Sequence, residues 1–227
     1  SVLRLPSLPA SAGKQQWGNL PGAALSLAIA EAASTAERFT LVLTEGSQSA
    51  ERLQEELAFF APSLPVLHFP DWETLPYDVF SPHQDIISQR IATLYQLPQL
   101  KRGILVVPIS TALHRLAPKN FLLGSSLVLD VGQKLDVEQM RTRLEAAGYR
   151  CVDTVYEHGE FAVRGALIDL YPMGSETPYR IDLFDDEIET LRTFDPETQR
   201  SVDKVESIRL LPAREFPLEK KAVSDRA

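Results

Sequence analysis

The sequence predicts an α/β protein in two parts: a parallel α/β domain, then a second, α+β module of antiparallel sheet plus helix. Three observations predict it. Between residues 23 and 116, short apolar β-forming runs alternate with segments of helical period, the pattern of a parallel sheet covered by helices on both faces. After Leu116 the pattern changes to one helix followed by short alternating segments separated by turn-forming clusters. The charge divides the same way: residues 1–150 hold 13 basic and 14 acidic groups, residues 151–216 hold 7 and 15, so the formal net charge of −8 sits in the second part.

Taken in order, residues 1–16 lack periodicity and read as a lead-in. Residues 23–37 form an Ala-rich helix with Leu25, Ala28, Ile29 and Ala32 on one stripe. Residues 39–44 are a buried strand, and 49–60 a helix with Leu53, Leu57 and Phe60 at helical spacing. Pro62 and Pro65 break the chain before a short strand at 66–69, and 71–82 is a loop bearing prolines and aromatics. A helix over 85–97 turns Ile87, Ile91, Leu94 and Tyr95 inward, 103–109 is a second buried strand, and 111–116 a short helix opened by Ser110 as cap. In the second part, 136–147 is a helix with Asp136 as N-cap and Gly148 just past its end. Strands follow at 149–156, 161–171, 179–184, 188–194 and 205–211, with turns at 185–187 and 195–197. Gly165 inside the strand 161–171 predicts a bulge that re-aims Arg164. Pro212 and Pro217 lead into a polar tail that reads as the stump of something longer. The domain boundaries drawn on this basis are 1–118, 119–211 and a truncated linker at 212–227 that returns toward the first domain.

Composition excludes several classes. The lone Cys151 excludes a disulfide framework and a cysteine-based zinc site, and fits a reducing cytoplasm. No apolar run approaches the ~18 residues that a membrane span needs; the apolar stretch 23–30 contains Ser26 and runs into Glu31, as a helix does and a signal peptide does not. No basic run is present, and an acidic surface repels a duplex, so a basic protein partner is the easier reading of the charge. The alternative, which charge alone favours, is a solvated acidic face with no partner.

Motifs for chemistry are searched with the same logic. A phosphate loop needs Gly-x-x-x-x-Gly-Lys-Ser/Thr, with glycines that let N–H groups wrap the phosphates, a Lys on the β/γ oxygens and a hydroxyl on magnesium. With the last glycine set on Gly22, Ala23 and Ala24 stand where Lys and Ser/Thr belong, so no nucleotide cofactor is expected at this degenerate loop. His68, His83, His114 and His158 show no metal-ligand spacing, and His158 reads as a turn residue. The triad Asp185-Asp186-Glu187 reads as a solvated turn rather than a cation site. No metal, no cofactor and no catalytic residue is expected. The strand 179–184 is more informative: period 2 places Tyr179, Ile181 and Leu183 on one face and Arg180, Asp182 and Phe184 on the other. An exposed Phe beside an Arg has the composition of an interface hot spot; the other reading is a second layer that buries Phe184.

Three stretches carry a family resemblance: residues 71–78 (DWETLPYD) continuing through 80–85 (FSPHQD), residues 159–169 (GEFAVRGALID) and residues 179–187 (YRIDLFDDE). Together they resemble the N-terminal region of the bacterial transcription-repair coupling factors (the Mfd family), over about residues 17–216. The second and third are also similar to the start of UvrB, the helicase-like subunit of the nucleotide excision nuclease. The resemblance implies a degenerate helicase-like α/β domain, followed by an inserted module that binds UvrA. It implies a full-length protein that removes stalled RNA polymerase from damaged DNA with ATP-driven translocase domains placed elsewhere. RNA polymerase and DNA are then contacted through domains beyond this chain, and another domain of the same protein is a candidate to mask the UvrA surface. The UvrB loop for ATP is lost at Ala23 and Ala24, and the DNA-clamping hairpin of UvrB has no room between 78 and 90. Carried over residue by residue, the family's UvrA-contact positions are Arg164, Arg180 and Phe184. The expectation is a non-enzymatic adaptor that recruits UvrA; the rival is a nucleotide-binding or damaged-DNA-binding helicase-like domain.

Overall fold

The computed structural model describes residues 13–36, 38–74 and 83–217. Most of the lead-in, the stretch 75–82 that carries much of the first family motif, and the tail from 218 lie outside the described residues. In chain order the elements are α1 (Ala24–Thr35), β1 (Phe39–Thr44), α2 (Ser47–Phe60), β2 (Val66–His68), α3 (Gln84–Gln96), β3 (Gly103–Pro108), α4 (Ile109–Ala112), α5 (Lys119–Gly124), β4 (Leu127–Asp130), α6 (Val137–Ala146), β5 (Arg150–Cys151), β6 (Glu160–Arg164), β7 (Leu167–Leu170), β8 (Tyr179–Phe184), β9 (Glu187–Phe194), β10 (Ser201–Val205) and β11 (Ser207–Leu210). They fold into two compact units, residues 1–71 with 96–114 and residues 72–95 with 115–227.

The first unit is a three-stranded parallel sheet in the order β1-β3-β2, with Leu41 opposite Leu105 and Val66 opposite Ile104. The central strand β3 is buried along its length, which explains its unbroken apolar sequence. Ala30 and Ala33 of α1 and Ala50, Leu53 and Leu57 of α2 pack with Ile104 and Val106 on one side of the sheet. The small alanines let the two helices approach closely. On the other side Leu41 and Leu43 of the edge strand β1 are exposed, so the expected two-sided cover does not reach β1 among the described residues.

The second unit holds a six-stranded sheet in the order β10-β9-β8-β7-β6-β5, antiparallel except for the β5–β6 pair, and a separate two-stranded pair of β4 with β11. Phe161, Ile168, Leu170, Ile181, Leu183, Ile188 and Leu191 form its inner face, packed with Met140 and Leu144 of α6 and with Ile91 of α3. The Asp136 carboxylate accepts from the Gln139 N–H at 2.7 Å and caps α6. Gly148 at φ 97° closes the helix, with the Tyr149 N–H on the Leu144 carbonyl and its own N–H on that of Glu145.

Several expectations change. The single strand 161–171 is two strands, β6 and β7, joined by the two-residue turn Gly165-Ala166; Gly165 takes φ 63° there as turn residue, not as bulge. The segment 205–211 is also divided, because β10 pairs with β9 whereas β11 pairs with β4. The strand expected over 149–156 stops at Cys151, and Val155 then packs on Ala162 and Phe194. Ser110 lies inside α4 and donates to Asp71 at 2.8 Å, rather than capping a helix. The elements α5 and β4 were not expected. Arg90 of α3 is fully buried in an ion pair with Glu215 at 2.8 Å and lies 4.5 Å from the Trp72 ring centroid.

Candidate protein-docking face

The outer face of the six-stranded sheet is built by register. Ala162, Asp169, Arg180, Arg192 and Lys204 stand in one row across β6, β7, β8, β9 and β10. A second row holds Arg164, Leu167, Asp182 and Thr190, and Phe184 stands opposite Glu187. Directly opposed residues in antiparallel strands share a face, so Arg164, Arg180 and Phe184 are brought to the same side. At one end Val155 covers Ala162 and Phe194, and the Gln199 amide donates to the Val155 carbonyl at 3.0 Å. Toward the β8–β9 turn the face is open, and Phe184 is 72% exposed.

Asp169 lies at the centre, 1% exposed, between Ile168 and Leu170 of the inner face. Arg180 grips it as a fork, Nε to Oδ1 at 2.7 Å and Nη2 to Oδ2 at 2.9 Å. Arg164 makes an ion pair with the same carboxylate. Arg180 also donates to the Gln199 carbonyl at 3.2 Å and lies 4.9 Å from the centroid of the Phe194 ring. Its side chain is 16% exposed against 49% for Arg164. The hydrogen bonds to Asp169 hold the Arg180 guanidinium above its usual pKa, further fixing its charge. Next to this pair, Thr190 donates to Asp182 at 2.6 Å and the Arg192 Nε lies 3.7 Å from it.

The structure therefore splits the three sequence-derived residues. Phe184 and Arg164 are open to solvent, whereas Arg180 is mostly covered and spent on internal bonds. Sequence reasoning placed Asp182 on this face but missed Asp169 and Arg192. A carboxylate between two apolar residues was a signal for Asp169; nothing local pointed to Arg192. The row Arg180–Arg192–Lys204 is a basic line that runs across strands, so it leaves no basic run in the sequence. The acidic total that suggested a basic partner does not describe this face.

The degenerate loop sits at the start of α1. Gly22 has φ 58°, and Ala23 is the N-cap residue without a side-chain cap bond. A cavity of about 420 Å³ there is lined by residues that include Gly22, Ser26, Thr44, Glu45, Arg52 and Glu56. The Ser26 hydroxyl, in the first turn of α1, donates to the Glu56 carboxylate. The partial positive charge of a helix start is thus met by the protein's own anion. Glu45 adds a second carboxylate, and Arg52 lies 3.9 Å from Glu56.

The remaining candidates are structural. His158 is held with Nδ1 at 2.6 Å from Asp85 and Nε2 at 2.7 Å from the Ser175 carbonyl, its ring 4.0 Å from that of Tyr171. Asp185 and Asp186 make the β8–β9 turn, with Asp186 paired to Lys134 at 2.9 Å. Among the described residues no cluster of His, Cys, Asp and Glu is arranged to hold a metal, and no helix is long and apolar enough to cross a membrane.

Comparison with known proteins places this face in context. Residues 127–216 match the family model of the UvrB interaction domain, a span that holds every residue of the open face. The chain is 52% identical over 218 residues to the transcription-repair-coupling factor of Escherichia coli (strain K12), covering 96% of this chain and 19% of that protein. It is 51% identical over 206 residues to that of Haemophilus influenzae, with 91% and 18% covered, and 29% identical over 203 residues to that of Bacillus subtilis (strain 168), with 89% and 17% covered. The chain spans about a fifth of the length of the curated relatives it matches.

Proposed function

The chain belongs to the transcription-repair coupling factor family, and from that premise we propose that it is an adaptor whose module at residues 119–211 docks UvrA, so that excision repair is recruited to damage that blocks transcription. The observation that carries this reading is the open sheet face, where the 72% exposed Phe184 stands on one side with Arg164. An exposed aromatic and an arginine on one face have the composition that dominates binding energy at interfaces. The face lies within the part of the chain that matches the UvrB interaction domain. RNA polymerase, DNA and the ATP-driven motor belong, on this reading, to other segments of a longer protein.

The chain itself is proposed to have no ATPase activity. Ala23 and Ala24 supply neither the lysine nor the hydroxyl of a phosphate loop, and Glu45 and Glu56 line the cavity where phosphates would sit. The test is calorimetric titration of purified UvrA into the wild-type chain and the Phe184→Ala variant, with melting curves for both. The substitution should weaken UvrA binding by about 2 kcal/mol, about thirtyfold, and shift folding stability by less than about 0.5 kcal/mol. A variant that stays folded and binds UvrA as tightly as wild type contradicts the proposal.

A further inference from the structure

We infer that the buried carboxylate of Asp169 is a positioning residue for docking: it holds Arg164 in place on the open face, so that a carboxylate of the partner is met by a guanidinium already in position on the same face as Phe184. This rests on the reading of the face as the UvrA-docking surface and deepens it, by naming the residue that organises the face and the chemistry expected of the partner.

Asp169 is 1% exposed, and both of its oxygens accept from guanidinium groups. A carboxylate taken so far out of water needs such partners, because an uncompensated buried charge is strongly unfavourable. The two arginines, however, depend on it unequally. Arg180 is held on three sides, by Asp169, by the Gln199 carbonyl and by the Phe194 ring. The only ion pair of Arg164 among the described residues is the one to Asp169. Arg164 spends one nitrogen on that contact and is half exposed, which leaves further N–H donors for a partner. An arginine held before docking loses less side-chain freedom on binding than a free one. Two guanidiniums on one carboxylate also leave a net positive charge at this spot, although residues 151–216 are acidic in total. The partner surface that fits is therefore one with a carboxylate for Arg164 and, separated from it along the same face, an apolar cleft that receives Phe184.

The test uses the full chain and UvrA. Asp169→Asn keeps the shape of the side chain and removes its charge. It should weaken UvrA binding about thirtyfold. In an Arg164→Ala background the same substitution should change binding by less than about threefold, because the group it positions is gone. A purely structural Asp169 would give equal losses in both backgrounds and overturn the inference. If Phe184→Ala also binds as wild type, the docking reading falls and this inference with it. If Phe184→Ala is weak but the folded Asp169→Asn variant binds like wild type, only the inference falls. Should Asp169→Asn unfold, nitrogen-15 arginine side-chain spectra of the wild-type chain decide. Separate, slowly exchanging Nη signals for Arg164 support the inference, and a single averaged signal overturns it.

Discussion

The start of α1 and the outer face of the six-stranded sheet solve opposite electrostatic problems. At α1 the positive end of a helix is occupied by Glu56, bonded to Ser26, with Glu45 lining the same cavity. On the sheet a buried carboxylate, Asp169, is surrounded by Arg164 and Arg180. The first arrangement fills an anion site from within; the second leaves cation capacity at the surface. Charge balance at the atoms, rather than the total of −8, decides what each place can accept.

The largest expected effect separates the two arginines of the sheet face. Arg180→Ala removes the fork from a 1% exposed carboxylate and should cost about 3 kcal/mol in urea unfolding. Arg164→Ala, half exposed, should cost less than about 1 kcal/mol. Equal costs for the two arginines would remove the distinction between support and contact. Next in size, Gly165→Ala meets open space but needs a positive φ, so it should lose about 1 kcal/mol by strain alone. A negligible loss would mean that the β6–β7 turn does not need this conformation.

Acid should then act on the two units in sequence. Burial pushes the His68 pKa below its ordinary 6.5, so the first unit keeps this contribution in full above pH 6.5 and loses it as pH falls through the lowered folded value. Burial pushes Glu160 upward, but the Tyr156 and Glu157 N–H groups and Arg150 outweigh it and hold the carboxyl below its ordinary 4.5. The second unit keeps that contribution above 4.5 and loses it only in stronger acid, as pH falls through the lowered folded value. Amide exchange across a pH series should show the first unit loosening before the second; the reverse order would contradict these assignments. The smallest effect is a null one at α1: titration of magnesium-ATP should give no binding heat at micromolar concentration, and binding there would refute the filled anion site.

The first unit was legible because apolar β-forming runs mark its parallel strands: β1 has the bounds expected from the sequence, although as an edge strand it is not buried, and β8 in the second unit has its expected bounds too. The period of β8 also placed Arg180 and Phe184 together. What escaped was set by pairing between distant segments. The cover over Arg180 comes from Asp169, Gln199 and Phe194, eleven, nineteen and fourteen residues away along the chain, and the row to Lys204 exists only through register. The Gly165 turn was missed because a glycine in an apolar segment suits a bulge and a hairpin equally until the pairing of Arg164 with Leu167 is seen. The burial of Arg90 against Glu215 joins residues 125 positions apart, beyond any local pattern.

The most direct test of the central claim is amide hydrogen exchange of the chain with and without saturating UvrA. Docking on the open face predicts new protection across β6 to β9, residues 160–194, with residues 22–60 unchanged. Protection confined to residues 22–60, or none anywhere while UvrA is bound, would contradict it.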